Sequence, residues 1–348
     1  MTYSQAIRSG FRLVNSRWQL VAIQAGLMLF NCIVFFIMVG IPLGIAFIIF
    51  GLDLTGLAQI KDVFGMLRNP AELLSKYLGL VLIVLTSLLL YILLVTTLGL
   101  YIFGGSVGFI GRSILDPDLK FSMRGFFAEA KKLFFPIMWF SLVAGIAFIF
   151  IAFILGLFGG GVAAIVSAAK SQDSTLALFL GIFFSLLVIL VGVSFVLIAI
   201  AVTVYGIAAL FFKGKGATKS FMDGFRFIWR HQNAFWLYVI LLIGYVIVSF
   251  IVMLIVYPFN LIPIIGTIIS IPFQVVSYVI QGYLGLVIIA IVFTYYYELE
   301  IRKTGQAASG PLSEEATAGS SSGPEDTSLP QAPGQETVLP EKDDQEET

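Results

Sequence analysis

Side chains able to do covalent or metal chemistry are scarce in this 348-residue chain, and their spacing does not bring them together. There is one histidine, His231, beside Arg230, and one cysteine, Cys32, inside an apolar run. A zinc site takes three or four His, Cys or carboxylate ligands, so no metal is implied. A lone cysteine can form no intramolecular disulfide. The carboxylate pairs Asp116/Asp118 and Glu298/Glu300 are loop or span-end residues, and Glu298 and Glu300, beside Arg302 and Lys303, mark where the last span leaves the lipid. We recognise no Walker A loop, no nucleophile elbow and no Gly-x-Gly-x-x-Gly ahead of a βαβ pattern. The expectation is a protein that is not an enzyme and carries no cofactor.

Two other groups of residues have spacings with physical meaning. Gln24, Asn31, Gln274, Ser277 and Gln281 are polar residues inside apolar stretches, and the last three recur at i, i+3 and i+7, on one helix face beside Tyr278. Such residues either bond across helices as packing glue or line a polar cavity, and both readings stay open here. The second group is basic. Arg8, Arg12 and Arg17, then Lys120, Arg124, Lys131 and Lys132, then Lys219, Arg226 and Arg230 each precede an apolar run with an aromatic entry: Trp18, Phe134 with Phe135, and Phe235 with Trp236. Tyr3, Ile7, Phe11, Val14 and Trp18 recur at helical spacing, and Phe121, Phe126, Ala130 and Phe134 do so more loosely. This is the pattern of a basic amphipathic helix lying in the headgroup region.

The elements that must position these residues follow from composition. The chain is 59% hydrophobic and 11% charged, with a mean hydropathy of +1.01, against roughly 25% charged for a soluble domain. No Asp, Glu, Lys or Arg occurs in 18–52, 77–111, 133–169, 174–212 or 231–297. Each run exceeds the ~20 apolar residues that span a bilayer. They predict six spans, at about 20–50, 78–103, 135–158, 176–209, 235–257 and 268–296. Gly40-Ile41-Pro42 is expected to break the first, Gly159-Gly160-Gly161 to be a flexible connector, and the segment 258–266 to be a tight hairpin or a shallow re-entrant turn.

Basic residues orient the spans. With the N-terminus inside, cytoplasmic segments hold fifteen Lys/Arg and outer connectors four, a positive-inside bias that places both termini in the cytoplasm. The pairs Gly10-Phe11, Gly125-Phe126 and Gly224-Phe225 recur before spans 1, 3 and 5, at separations of 115 and 99 residues. The predicted fold is therefore all-α and polytopic: six transmembrane helices as three parallel repeats, about 3–115, 118–212 and 217–303. Each repeat is an interfacial amphipathic helix followed by a transmembrane hairpin. After residue 303 come ten acidic residues and one basic residue among Ser, Gly and Pro, which predicts a disordered acidic tail over 304–348.

The three-fold arrangement, the stretches Gly10-Phe-Arg-Leu-Val and Gly224-Phe-Arg-Phe-Ile-Trp-Arg and the hydropathy profile resemble bacterial six-helix membrane proteins of unknown function. These include the membrane domain found beside some glycerophosphodiester phosphodiesterases. The resemblance implies a membrane-embedded accessory role and carries over no catalytic residue. The expected function is a non-enzymatic scaffold or accessory protein of the bacterial cytoplasmic membrane. A transporter or lipid-handling protein with a cavity between the three hairpins is the alternative. The expected partners are membrane lipid, anionic inner-leaflet lipid in particular, and a protein recruited by the acidic tail; no nucleic acid is implied.

Overall fold

The computed structural model describes residues 2–55, 70–171, 173–260 and 263–302, and among them every regular element is helical. Within a bilayer a charge-free backbone finds hydrogen-bond partners only in itself, so these apolar runs wind into helices. The helices are α1 (Tyr3–Ser16), α2 (Gln19–Phe35), α3 (Ile41–Thr55), α4 (Pro70–Leu115), α5 (Met123–Lys170), α6 (Ser174–Lys213), α7 (Ala217–Arg230), α8 (Gln232–Asn260) and α9 (Pro263–Tyr296). Six stretches are long and apolar enough to cross a membrane, with α2 and α3 together forming the first. The chain is thus an all-α, multi-pass membrane protein. The tail expected from residue 304 onward lies outside the described residues.

Caps set several of the helix starts. The Gln5 side chain accepts from the Thr2 N–H (3.1 Å), Ser122 Oγ accepts from the Gly125 N–H (3.1 Å), and an Asp173 carboxylate oxygen accepts from the Thr175 N–H (2.7 Å). Gly214 ends α6 at φ +60°, in the left-handed region that glycine enters without steric cost.

Three expectations change. The first span is not broken at Gly40-Ile41-Pro42: a single π-helical stretch, Phe36–Gly40, carries the chain from α2 into α3. A π turn absorbs the backbone donor that Pro42 lacks without ending the helix. Gly159, Gly160 and Gly161 are helical, inside α5, because a glycine in lipid still has no partner for its amide except the helix itself. In the segment 258–266, Pro258 lies within α8 and α9 starts at Pro263; residues 261–262 lie outside the described residues.

The third change concerns the repeat. α1 and α7 are separate 14-residue helices, ended by non-helical Arg17 and His231. The second interfacial segment has no such stop. It forms the first turns of α5, which runs on through Pro136 for 48 residues, about 72 Å at 1.5 Å per residue. Ala130, Lys131, Lys132 and Leu133 are all good helix formers, whereas Asn15 and Ser16 favour a terminus; Ser16 Oγ donates back to the Leu13 carbonyl (2.9 Å).

Each interfacial segment clasps the second span of the repeat before it, and the first clasps the last. α1 buries Ala6, Gly10 and Val14 against α9, with Gly10 on Ile291. The start of α5 lies on α4: Phe126 meets Gly105, and Glu129 and Leu133 meet Gly108. α7 lies on α6, where a Cβ at Gly224 would stand 2.7 Å from the Gly206 nitrogen and the Val202 oxygen. The same ends of α4, α6 and α9 form the core, with Ile110, Val202, Tyr205, Ala290, Ile291 and Phe293 fully or almost fully buried. We call this the basic end of the bundle. At the far end the spans expose their side chains, as at Phe47, Ile149, Phe153, Phe179 and Leu186.

Candidate functional site

The cations of the basic end divide into two sets. One set is spent on internal clamps. Arg112 pairs with buried Glu129 (3.1 Å), Lys213 with Glu300 (2.9 Å) and Asp223 (3.7 Å), and Lys215 with Asp223 (2.8 Å). Partial burial pushes the Asp223 carboxyl up. The Lys215 hydrogen bond and the charges of Lys213, Lys215 and Arg226 outweigh it and hold the group below its ordinary value.

The other set faces outward. Arg8, Arg12, Lys120, Arg124, Lys131, Lys132, Lys219, Arg226 and Arg230 are exposed and form no ion pair with another described residue. Arg17 departs from this set. It is half-buried, donates to the Pro117 carbonyl (3.2 Å) and lies 6.0 Å from the Phe109 ring centre, so it ties α1 to the α4–α5 connection instead of facing headgroups. Its position in the turn after α1 aims it inward.

α1 and α7 have two apolar sides. The narrow one is made of small or flat contacts and faces the bundle: Ala6, Gly10 and Val14 on α1, and Ser220, Gly224 and Phe227 on α7. The other carries large exposed residues beside the cations: Phe11 and, just past the helix end, Trp18 for α1, and Met222, Phe225 and Trp229 for α7. The three Gly-Phe pairs therefore do not play equal parts. Phe11 and Phe225 are exposed and their glycines pack, whereas Phe126 is fully buried and Gly125 meets only Ser122 Oγ. In the second repeat the close approach is made by glycines of α4 and a large side chain of α5.

Polar span residues converge at a second place. Gln24 and Asn31 of α2, Tyr245 of α8, and Tyr278 and Gln281 of α9 line a pocket of about 370 Å³. The Asn31 Oδ1 atom is buried with no hydrogen-bond partner. Gln281 Nε2 donates weakly to Ser277 Oγ (3.4 Å), and Ser277 is not among the lining residues. Gln274 is exposed and does not line it, being two further turns along α9 from Gln281. The pocket sits between the first and third hairpins. The meeting point of α4, α6 and α9 is instead filled by Phe211, Phe212, Phe293 and Tyr296.

Among the described residues no group of three or more His, Cys, Asp or Glu could hold a metal. Gly104-Gly105-Ser106-Val107-Gly108 has the Gly-x-Ser-x-Gly spacing of a nucleophile elbow, which the sequence reading passed over. Here it is a buried helical turn of α4, with Ser106 Oγ donating to the Ile102 carbonyl (3.0 Å). An elbow requires an exposed serine on a sharp strand-to-helix turn. Sequence reasoning also missed Glu129. Its signal was present: it is the one acidic residue on the stripe Phe126, Glu129, Ala130, Leu133 that α5 buries. Searches against family models, curated proteins and solved structures find no match to this chain.

Proposed function

We propose that the protein is a non-enzymatic scaffold or accessory protein of a bacterial cytoplasmic membrane, with both termini inside, whose interfacial segments hold anionic lipid of the inner leaflet. One observation carries this reading. α1 buries Ala6, Gly10 and Val14 and α7 buries Ser220, Gly224 and Phe227 on the bundle, while their cations and Phe11, Phe225 and Trp229 stay exposed, the arrangement that seats a helix at headgroup depth. Each outward cation near an anionic surface contributes about 1 kcal/mol. The packed aromatic centre of the basic end supports an anchoring role over conduction along the bundle axis. An accessory role is also what the resemblance to phosphodiesterase-associated membrane domains implies.

The test is native mass spectrometry from nanodiscs of mixed phosphatidylglycerol and phosphatidylcholine. The combined variant Arg8→Gln, Arg12→Gln, Arg124→Gln, Lys131→Gln and Lys219→Gln should retain roughly half the phosphatidylglycerol of the unmodified protein, or less. Equal retention would sink the reading.

The pocket of Gln24, Asn31 and Gln281 favours a second reading, in which the protein handles lipid or a small solute. A buried carbonyl oxygen without a partner, such as Asn31 Oδ1, costs about 1–3 kcal/mol unless a ligand or water supplies a donor. On this reading the protein in sealed vesicles equilibrates a fluorescent phospholipid between leaflets, and Asn31→Leu slows that exchange. Vesicles with and without protein behaving alike would exclude it.

A further inference from the structure

We infer that the cleft between the second and third repeats is a site for one anionic phospholipid, with an acyl chain inside it and the phosphate on Arg226 and Arg230. This rests on the lipid-holding reading above and narrows it to one place. The cleft has a volume of about 690 Å³, within the ~300–1,000 Å³ of ligand pockets. Ala147 and Ile151 of α5 and Ala199 and Val202 of α6 form its floor, and Trp236 of α8 a wall. α7 roofs it with Phe225 and Trp229, stacked at 6.1 Å.

Two facts select the occupant. Among the lining residues only Gln232 and the indole N–H groups of Trp229 and Trp236 carry polar side-chain atoms, so the interior offers little to a polar solute or a peptide backbone, while an acyl chain needs no hydrogen bond. At the mouth, Arg226 and Arg230 follow Phe225 and Trp229 in sequence, share a shallow depression with them, and are one helical turn apart. Both are exposed and neither forms an ion pair with a described carboxylate. Two guanidinium groups at that spacing present planar forks that suit phosphate oxygens. An apolar slot under a roof with paired arginines at its lip matches the chain-then-phosphate order of a phospholipid.

The experiment uses the full chain extracted from nanodiscs of dioleoylphosphatidylglycerol and dioleoylphosphatidylcholine, with tightly retained lipid counted by native mass spectrometry after a detergent wash. The unmodified protein is expected to keep one phosphatidylglycerol in preference to phosphatidylcholine. Arg226→Gln with Arg230→Gln should lower its occupancy by about tenfold, the effect of losing charge-assisted hydrogen bonds worth ~1.5 kcal/mol or more. Ala147→Phe fills the floor while leaving every cation in place and should lower occupancy similarly. Trp229→Ala, at an exposed position that does not hold the bundle together, removes half of the roof and guards against misfolding of the filled variant.

If Ala147→Phe and Trp229→Ala both leave the retained lipid unchanged, the cleft is overturned. The broader reading survives that result if the five-residue variant above still sheds phosphatidylglycerol, and falls with it if that variant does not. Equal retention of phosphatidylcholine would overturn the assignment of Arg226 and Arg230.

Discussion

The two ends of the bundle are built from the same apolar alphabet and packed by different rules. At the basic end glycines are contact points: Gly105 receives the Phe126 ring, Gly108 receives Glu129 and Leu133, and Gly224 touches backbone of α6. At the far end Gly156, Gly159, Gly160 and Gly161 have nothing within 4 Å of where a side chain would start. Lipid tails are as apolar as leucine, so apolarity alone gives helices no reason to associate; close backbone approach and interhelical polar bonds do. The basic end has both. The far end has neither to the same degree and turns its large side chains to lipid.

The sharpest way to break this contrast is to add volume at each end. Gly224→Val should destabilise the bundle by about 3 kcal/mol or more, because a Cβ 2.7 Å from the backbone of Gly206 and Val202 cannot be relieved by a rotamer change. It should be read as loss of the monodisperse peak in mild detergent and a lower unfolding midpoint. Gly160→Val should stay within about 0.5 kcal/mol, since that position is open. Equal damage at both positions would mean that the two ends are packed alike.

A smaller effect comes from polar ties. Tyr205 is fully buried in α6 and its hydroxyl donates to the Ala234 carbonyl (2.9 Å), joining the second repeat to the start of α8. Tyr205→Phe should cost about 1–2 kcal/mol. Tyr257→Phe, at an exposed far-end site, should cost nothing measurable in the same thermal unfolding assay.

The smallest effect is electrostatic. The Asp223 carboxyl is held below its unfolded value of 3.8, so its contribution is present above that pH and is lost as pH falls below it through the folded value. Unfolding midpoints measured from pH 6 down to about pH 3 should therefore fall less steeply in Asp223→Asn than in the unmodified protein. Parallel curves would show that the Lys213–Asp223–Lys215 cluster adds nothing to stability.

What the sequence made legible follows the same division. Charge-free runs located all six spans, because insertion into lipid depends on apolar length. They did not locate the helix ends, because hydrogen bonding continues past the apolar run: α5 begins at Met123, twelve residues before the expected start. The glycine triplet 159–161 misled for a related reason, since in lipid the backbone has no partner but its own helix. Gln24, Asn31 and Gln281 were visible as polar residues in apolar surroundings. That Gln274 falls outside their pocket was not visible, because a shared helix face does not fix depth. The Gly-Phe repeat marked the three interfacial segments but not their roles, which depend on whether the glycine sits on the clasping segment or on the span it clasps. The pairings of Glu129 with Arg112 and of Glu300 with Lys213 join elements that only tertiary packing brings together.

The clasp of α1 on α9 joins positions 281 residues apart in sequence, Gly10 and Ile291. During synthesis at about 5–20 residues per second, the first helix waits roughly 14 to 56 s for the surface it will cover. Throughout that interval its Ala6, Gly10 and Val14 stripe lacks the surface it will cover, and the first span, which follows it after Arg17 and Trp18, keeps it beside the membrane. Loop closure over such a distance is also the slowest kind of contact to form. The first element made is thus the last to be locked, and a chain arrested before its final span would leave that stripe open to chaperones and proteases.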